Sequence, residues 1–550
     1  MKSIFLLLSI AAAALAADLR NIDTGLVIVR DAYADQPYVV VLDDGRWLCT
    51  VTLGPLGEGQ GKGNRTMATV SADKGKTWSP PVKANDVTCG VPVKTRFGRV
   101  YAITGGYFAW SDDAGRTWSE KRVIPARLSA WPDGKRDPET SVWAVGMPWV
   151  AGGSVFVPWA KRIRGQAIPI REVCLFKSDN ILVERDPDKV RWRMLPDRDT
   201  GIKPPPDGTV AEEPHVVSLS DGTLYTVFRT NRGYIGHATS KDGGETWSDA
   251  TYVTYASGRR LRHPRACPSL WKASNGKYLL WFHNHGGNDY RERNPAWISG
   301  GVERGGEIQW SEPEILLYTD DLSYETGRLS YPGFFEDGGR HYITETQKTI
   351  ARLHEIDGSL LDVFNAVWTQ GQRSEWAAKG LVLSLDAPAK EVEAPALPNL
   401  KAGGFTLDLW LQLNDVAPGQ VILDSRDATG KGVLLVTGGT GNVRLEMNDG
   451  KNGAYWDSDA GTLRAGKRHH ACIIVDGGPN IISFVIDGVL NDGGAERRYG
   501  WGRFPAGMED INGEKKWKVA PSLRGRLMAL RAYDRYLLTS EAVGNFRAGL

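Results

Sequence analysis

The chain has little of what would mark a metalloprotein, a disulfide scaffold or a nucleic-acid binder. Its 550 residues include five cysteines, Cys49, Cys89, Cys174, Cys267 and Cys472, with none of the close pairing that holds zinc. No metal or cofactor is therefore expected, and most of these thiols should be buried in strands, with room for one disulfide. The 67 basic and 65 acidic residues leave a net charge of +2, which gives neither nucleic acid nor a membrane surface a footprint. Beyond residue 16 no run approaches the roughly 20 apolar residues that span a bilayer. Residues 1–16 carry one lysine, an apolar stretch and an Ala-Leu-Ala ending, the layout of a cleavable signal, so the protein is expected to be secreted or periplasmic.

What the chain has in quantity is 64 glycines, 29 prolines and 20 tryptophans, which favour many turns and aromatic-pinned strands over helices. One phrase occurs three times: Ser71-Ala-Asp73-Lys-Gly75-Lys-Thr77-Trp78, Ser111-Asp-Asp113-Ala-Gly115-Arg-Thr117-Trp118 and Ser240-Lys-Asp242-Gly-Gly244-Glu-Thr246-Trp247. The first two begin 40 residues apart and the third 129 later, about three more steps, which is the period of a propeller blade. Aspartate can fold onto backbone N–H groups, glycine supplies a positive φ, and the closing Thr-Trp should open the next strand with its indole pinning the turn.

The octets resemble the Asp boxes of the sialidase (neuraminidase) superfamily. That resemblance implies an all-β chain with a six-bladed β-propeller over residues 17–372, closed by an N-terminal strand in the sixth blade. After Asp357 the texture changes. Gly404-Phe-Thr-Leu-Asp-Leu-Trp-Leu411, Val-Ile-Asp487-Gly488 and Leu530-Arg-Ala-Tyr-Asp-Arg535 resemble a laminin-G or concanavalin-like jelly roll, assigned here to residues 373–550.

A sialidase site needs an arginine triad, a tyrosine nucleophile, a glutamate that takes its proton, and an acid/base carboxylate. Glu213, followed by Pro-His-Val-Val and an Asp-Gly turn, resembles the family glutamate, with Glu212 as the other inward candidate. Tyr331 resembles the nucleophile. Arg229 or Arg232, and Arg291 or Arg293, fall where triad arginines are expected. Planar guanidinium groups suit a carboxylate.

The chain departs from the family where Asp35-Gln36-Pro37 replaces the Arg-Ile-Pro that supplies the first arginine, and where the loop 57–65 offers only Glu58 as acid/base. Asp35 is itself a candidate acid. Arg265 and His283 join the substrate-binding candidates, since His215, His263, His283 and His285 are expected near inner-strand ends. The leading expectation is a glycoside hydrolase acting on a glycan with a sialic or uronic sugar. A polysaccharide lyase on a uronate, or a non-catalytic glycan-binding propeller, are the alternatives.

Overall fold

The computed structural model describes residues 17–58, 63–125, 140–163, 171–198, 200–356, 378–386 and 390–550. The expected signal at 1–16 and the domain boundary at 372–373 lie outside them.

The protein is all-β, as the turn-rich composition predicts: 46% of it is strand and 4% helix. Among the described residues, six antiparallel sheets follow one another along the first 356 positions, and two more make up the C-terminal part. The first contains Tyr33–Val41, Trp47–Gly54, Arg65–Ser71 and Val82–Asn85; the fourth contains Glu212–Ser218, Leu224–Arg229, Gly236–Ser240 and Thr251–Tyr252. The sixth is built from Ser330–Asp337, Arg340–Thr346 and Ile350–Ile356, and its outer strand is Leu26–Arg30 from the start of the chain. Each sheet is open.

Leading strands pack on one another in order. Tyr33–Val41 meets Val91–Lys94, Glu212–Ser218 meets Ser269–Lys272, Ser269–Lys272 meets Ser330–Asp337, and Ser330–Asp337 meets Tyr33–Val41. A shared apolar cluster joins the second and third sheets through Tyr101, Phe108, Trp159 and Phe176.

The three octets adopt one geometry. The serine hydroxyl donates to the aspartate two residues on, at 2.8–2.9 Å, and accepts from the glycine N–H at 2.8–2.9 Å. The aspartate accepts from the threonine N–H four residues on, and the indole N–H donates to the glycine carbonyl. Gly75, Gly115 and Gly244 have φ of 83°, 85° and 99°. The tryptophans do not open a strand. They cap the turn, and after Trp78 the chain forms no strand until Val82–Asn85.

The C-terminal part is a two-sheet sandwich around a core that includes Leu407, Leu409, Phe405, Phe484 and Trp517. Strand Arg468–Asp476 alternates with period two, yet both faces are apolar. Ala471, Ile473 and Val475 face the sandwich core, while Cys472 and Ile474 join a second cluster with Trp297, Trp310 and Ile315 of the fifth sheet and its flank. At about 1.5–3 kcal/mol for each fully buried large apolar side chain, this shared cluster makes separation of the two parts costly. Ion pairs reinforce it: Arg20 binds Asp476 at 2.7 Å, and Arg259 binds Glu312 at 2.7 Å and Asp492 at 2.8 Å. The chain ends in helix Thr539–Ala548, which the sequence reading did not include. All five cysteines are free thiols, four of them buried.

Candidate active site

Three leading strands begin with the same device. In Asp35-Gln36-Pro37, Glu212-Glu213-Pro214 and Ser330-Tyr331-Pro332 the ladder register slips by one residue, a β-bulge. The middle residue has a positive φ each time: 55° at Gln36, 51° at Glu213 and 45° at Tyr331. Proline fits here because it removes a donor that the interrupted ladder does not use. A bulge re-aims the side chains beside it, and left-handed backbone at a non-glycine residue costs on the order of 1–3 kcal/mol, so packing must enforce it.

Two of the re-aimed side chains meet. Tyr331 donates from Oη to Glu213 Oε1 at 2.6 Å, and Arg229 donates to Glu213 Oε2 at 2.8 Å. Glu213 and Arg229 are only 3% and 4% exposed. Burial alone would push the Glu213 carboxyl up, but Arg229 and the tyrosine hydroxyl outweigh it and hold the group below the usual carboxylate range. Burial, followed by the neighbouring Glu213 charge, pushes the Tyr331 phenol well above its usual value. The resting pair is thus a neutral phenol donating to a carboxylate.

Arginines surround this pair. Glu212, fully buried, forms ion pairs with Arg171, with Arg229 at 3.3 Å and with Arg265 at 3.7 Å. The Arg229 and Arg265 guanidinium groups each lie 4.8 Å from the centre of the Tyr290 ring. Arg293, from the chain just before Ala296–Arg304, donates to Ser330 Oγ at 2.9 Å, beside Tyr331.

The acidic candidates sit on the other flank. Asp35 accepts from Lys348 at 2.8 Å and from the Tyr33 hydroxyl at 2.7 Å. Glu58 pairs with Lys348 at 3.2 Å and Arg328 at 3.0 Å. Its burial raises the carboxyl, but these two cations prevail and hold it below the usual range. The Lys348 ammonium lies 4.2 Å from the centre of the Tyr331 ring.

The structure therefore brings together Tyr331, Glu213, Asp35, Glu58, Arg229, Arg265 and Arg293 through a chain of contacts. Arg232 is not among them: it is exposed and donates to the Asp207 carbonyl. Arg291 is exposed and lines an adjoining cavity. His283 is buried, stacks on His263 at 5.7 Å and places Nδ1 3.3 Å from the Pro295 carbonyl, a packing role. Burial holds the His215, His263, His283 and His285 rings below the usual histidine range, so they are neutral at neutral pH. Among the described residues no group of three or more metal-ligating side chains forms a site.

Sequence reasoning missed Lys348, Arg328, Arg171 and Tyr290. A signal for the site was present: Asp-Gln-Pro-Tyr-Val-Val, Glu-Glu-Pro-His-Val-Val and Ser-Tyr-Pro-Gly-Phe-Phe align at the three bulges.

Residues 87–343 match the BNR repeat-like domain, and residues 386–543 match the concanavalin A-like lectin/glucanases superfamily. The chain combines these two domains. Solved structures similar to this chain include the Trypanosoma rangeli sialidase in complex with sialic acid, at 14% identity over 94% of this chain and 93% of that one, with a TM-score of 0.40. A NanB sialidase variant from Streptococcus pneumoniae matches at 16% identity over 60% of this chain and 70% of that one, TM-score 0.43. A Hadza microbial sialidase matches at 18% over 61% and 68%, TM-score 0.43. No curated protein matches the chain.

Proposed function

We propose that the protein is a sialidase-type glycoside hydrolase whose substrate is a glycan ending in a carboxylate-bearing sugar, either sialic or uronic. The observation that carries this reading is the 2.6 Å hydrogen bond from Tyr331 to Glu213, with Arg229 on the other carboxylate oxygen. On this reading the six sheets are the blades of one propeller over residues 17–372, residues 373–550 are the jelly roll, and the protein is exported.

A tyrosine is a sensible nucleophile beside a substrate carboxylate, because a neutral hydroxyl avoids the repulsion that a second carboxylate would meet. Tyr331 Oη attacks the anomeric carbon while its proton passes to Glu213 Oε1. The leaving oxygen takes a proton from Glu58; the same carboxylate then draws a proton from the water that attacks the anomeric carbon, and as the bond to Tyr331 Oη breaks that oxygen recovers its proton from Glu213. Arg229, Arg265 and Arg293 take the substrate carboxylate. Lys348 and Arg328 keep Glu58 ionised in the free protein, so on this reading Glu58 takes up its proton as the bound substrate brings negative charge and excludes water. Asp35, held by Lys348 and Tyr33, anchors this flank and stands where the family has its first arginine.

The test is product analysis by NMR with sialyl-lactose, disialic acid and digalacturonic acid. A saturated acidic sugar is expected from at least one. An unsaturated, ultraviolet-absorbing product would make the protein a lyase, and binding without turnover would make it a lectin; either outcome overturns the hydrolase reading.

A further inference from the structure

The Tyr331 centre is bordered by a cavity of about 430 Å³ that both domains build. Tyr290, Arg293 and Arg328 line it from the propeller side, and these residues also surround the centre: Arg293 holds Ser330, Arg328 holds Glu58, and Tyr290 stacks with Arg229. A second wall comes from the jelly roll, where Trp456, Trp501 and Arg503 line the cavity.

That wall is fixed in place. Trp501 donates its indole N–H to the Asn284 carbonyl at 3.1 Å, and Arg503 donates to the carbonyls of Asn294 and Pro479, each at 2.7 Å. Trp456 donates to the Gly500 carbonyl at 3.1 Å and lies against Gly502, where a Cβ would come within 2.3 Å of its ring. Hydrogen bonds thus tie this wall to both parts of the chain.

The lining has the chemistry of an acidic sugar. Its aromatic faces suit the C–H faces of a pyranose, and its arginines, Arg291, Arg293, Arg328 and Arg503, outnumber the single lining acid, Glu292. Arg293 is 5% exposed, and its Nε has no hydrogen-bond partner among the described residues. The volume lies within the range of small-ligand pockets. We infer that this interdomain cavity is a second subsite, which receives the next anionic sugar of the same glycan while the terminal sugar lies at Tyr331. The jelly roll then acts as a wall of the substrate cleft. The inference rests on the acidic-glycan reading given above.

The experiment titrates the full-length Tyr331→Phe variant, unable to turn over, with disialic acid, digalacturonic acid and the matching monosaccharides, reading tryptophan fluorescence and calorimetry. The expected result is that one dimer binds at least about tenfold more tightly than its monomer, a difference of about 1.4 kcal/mol. Adding Trp456→Ala, or the exposed change Arg291→Gln, should remove most of that gain. Monomer affinity should be unchanged in the Trp456→Ala background. Thermal melts establish that each variant is folded, and Arg291→Gln, which breaks no packing, decides the question if Trp456→Ala does not fold. Equal affinity for dimer and monomer, or a dimer preference untouched by the folded variants, overturns the second subsite alone. Failure of both monomer and dimer to bind overturns the subsite together with the acidic-glycan reading.

Discussion

The ammonium of Lys348 lies 2.8 Å from Asp35, and both side chains are 4% exposed. Lys348, with a φ of 74°, comes from the turn between Arg340–Thr346 and Ile350–Ile356, while Asp35 belongs to the first sheet, so the pair ties the sixth sheet to the first beside Tyr331. A lone buried charge is costly, and removing one partner of such a pair typically destabilises by about 3–5 kcal/mol. Lys348→Met should therefore lower the urea midpoint strongly. Lys348→Met with Asp35→Asn should recover a large part of that loss. Two additive losses in the double-mutant cycle would contradict the pairing.

Tyr331→Phe and Glu213→Gln should each lower turnover by ~100-fold or more, the scale of a lost nucleophile or base, with circular dichroism showing both variants folded at the assay temperature. Steady-state rates with any substrate found active provide the check. Near-wild-type rates in both variants would remove these two residues from the chemistry.

Arg229 sets the charge state of Glu213, the proposed base. With its guanidinium present, Glu213 is held below the usual carboxylate range; without it, burial is left to push the group up. Glu213 must be ionised to take the Tyr331 proton, so Arg229→Met should move the acid limb of kcat/KM to higher pH as well as lowering its plateau. A lower plateau with an unmoved acid limb would reduce Arg229 to a substrate contact.

The domain interface carries its own pH dependence. Glu314, 2% exposed, accepts from the Thr539 and Ser540 N–H groups at 2.9 and 2.8 Å, at the start of the C-terminal helix. Burial outweighs these bonds and raises its carboxyl from 4.5 to about 7. The folded protein therefore holds a proton that the unfolded chain releases between these values. This contribution to stability is full below about pH 4.5 and is lost as the pH rises through about 7. Glu314→Gln should flatten the Tm profile across that window. An unchanged slope would contradict the assignment.

Glycine in the octets has a positional role. Gly75 has a φ of 83°, and a Cβ there would meet Leu353 at 2.4 Å and Trp47 at 3.1 Å. Gly222, at 88°, has nothing within 4 Å. Both alanine variants carry backbone strain of on the order of 1 kcal/mol, but only Gly75→Ala adds a clash against side chains of two sheets. Chemical denaturation should show the larger loss at Gly75, and equal losses would contradict it.

Much of the fold was legible because the octets are local: serine, aspartate, glycine and threonine close the same turn within eight residues whatever surrounds it. The Tyr331, Glu213 and Arg229 triad was legible through family resemblance. Lys348, Arg328 and Arg171 were not, since they reach Asp35, Glu58 and Glu212 from distant parts of the chain, and nothing in their own neighbourhoods marks them. The interface was missed for a different reason. The jelly-roll resemblance rests on other segments, whereas the signal lies in His470-Ala-Cys-Ile-Ile-Val475, whose unbroken apolar run marks burial on both faces. Arg232 and His283 were misplaced because their residue types suited a site, while their local contacts, the Asp207 carbonyl and the His263 ring, are invisible before folding.

The central claim is that Tyr331 forms the covalent bond to the sugar. Incubation with difluoro-sialic acid and with a fluorinated uronosyl fluoride, followed by peptide mass spectrometry, measures this directly. The account predicts one added glycosyl mass on the peptide containing Tyr331, and none on that peptide in Tyr331→Phe. Glycosyl mass on a peptide carrying Glu58 or Asp35, or hydrolysis of either sugar with no adduct at Tyr331, would contradict it.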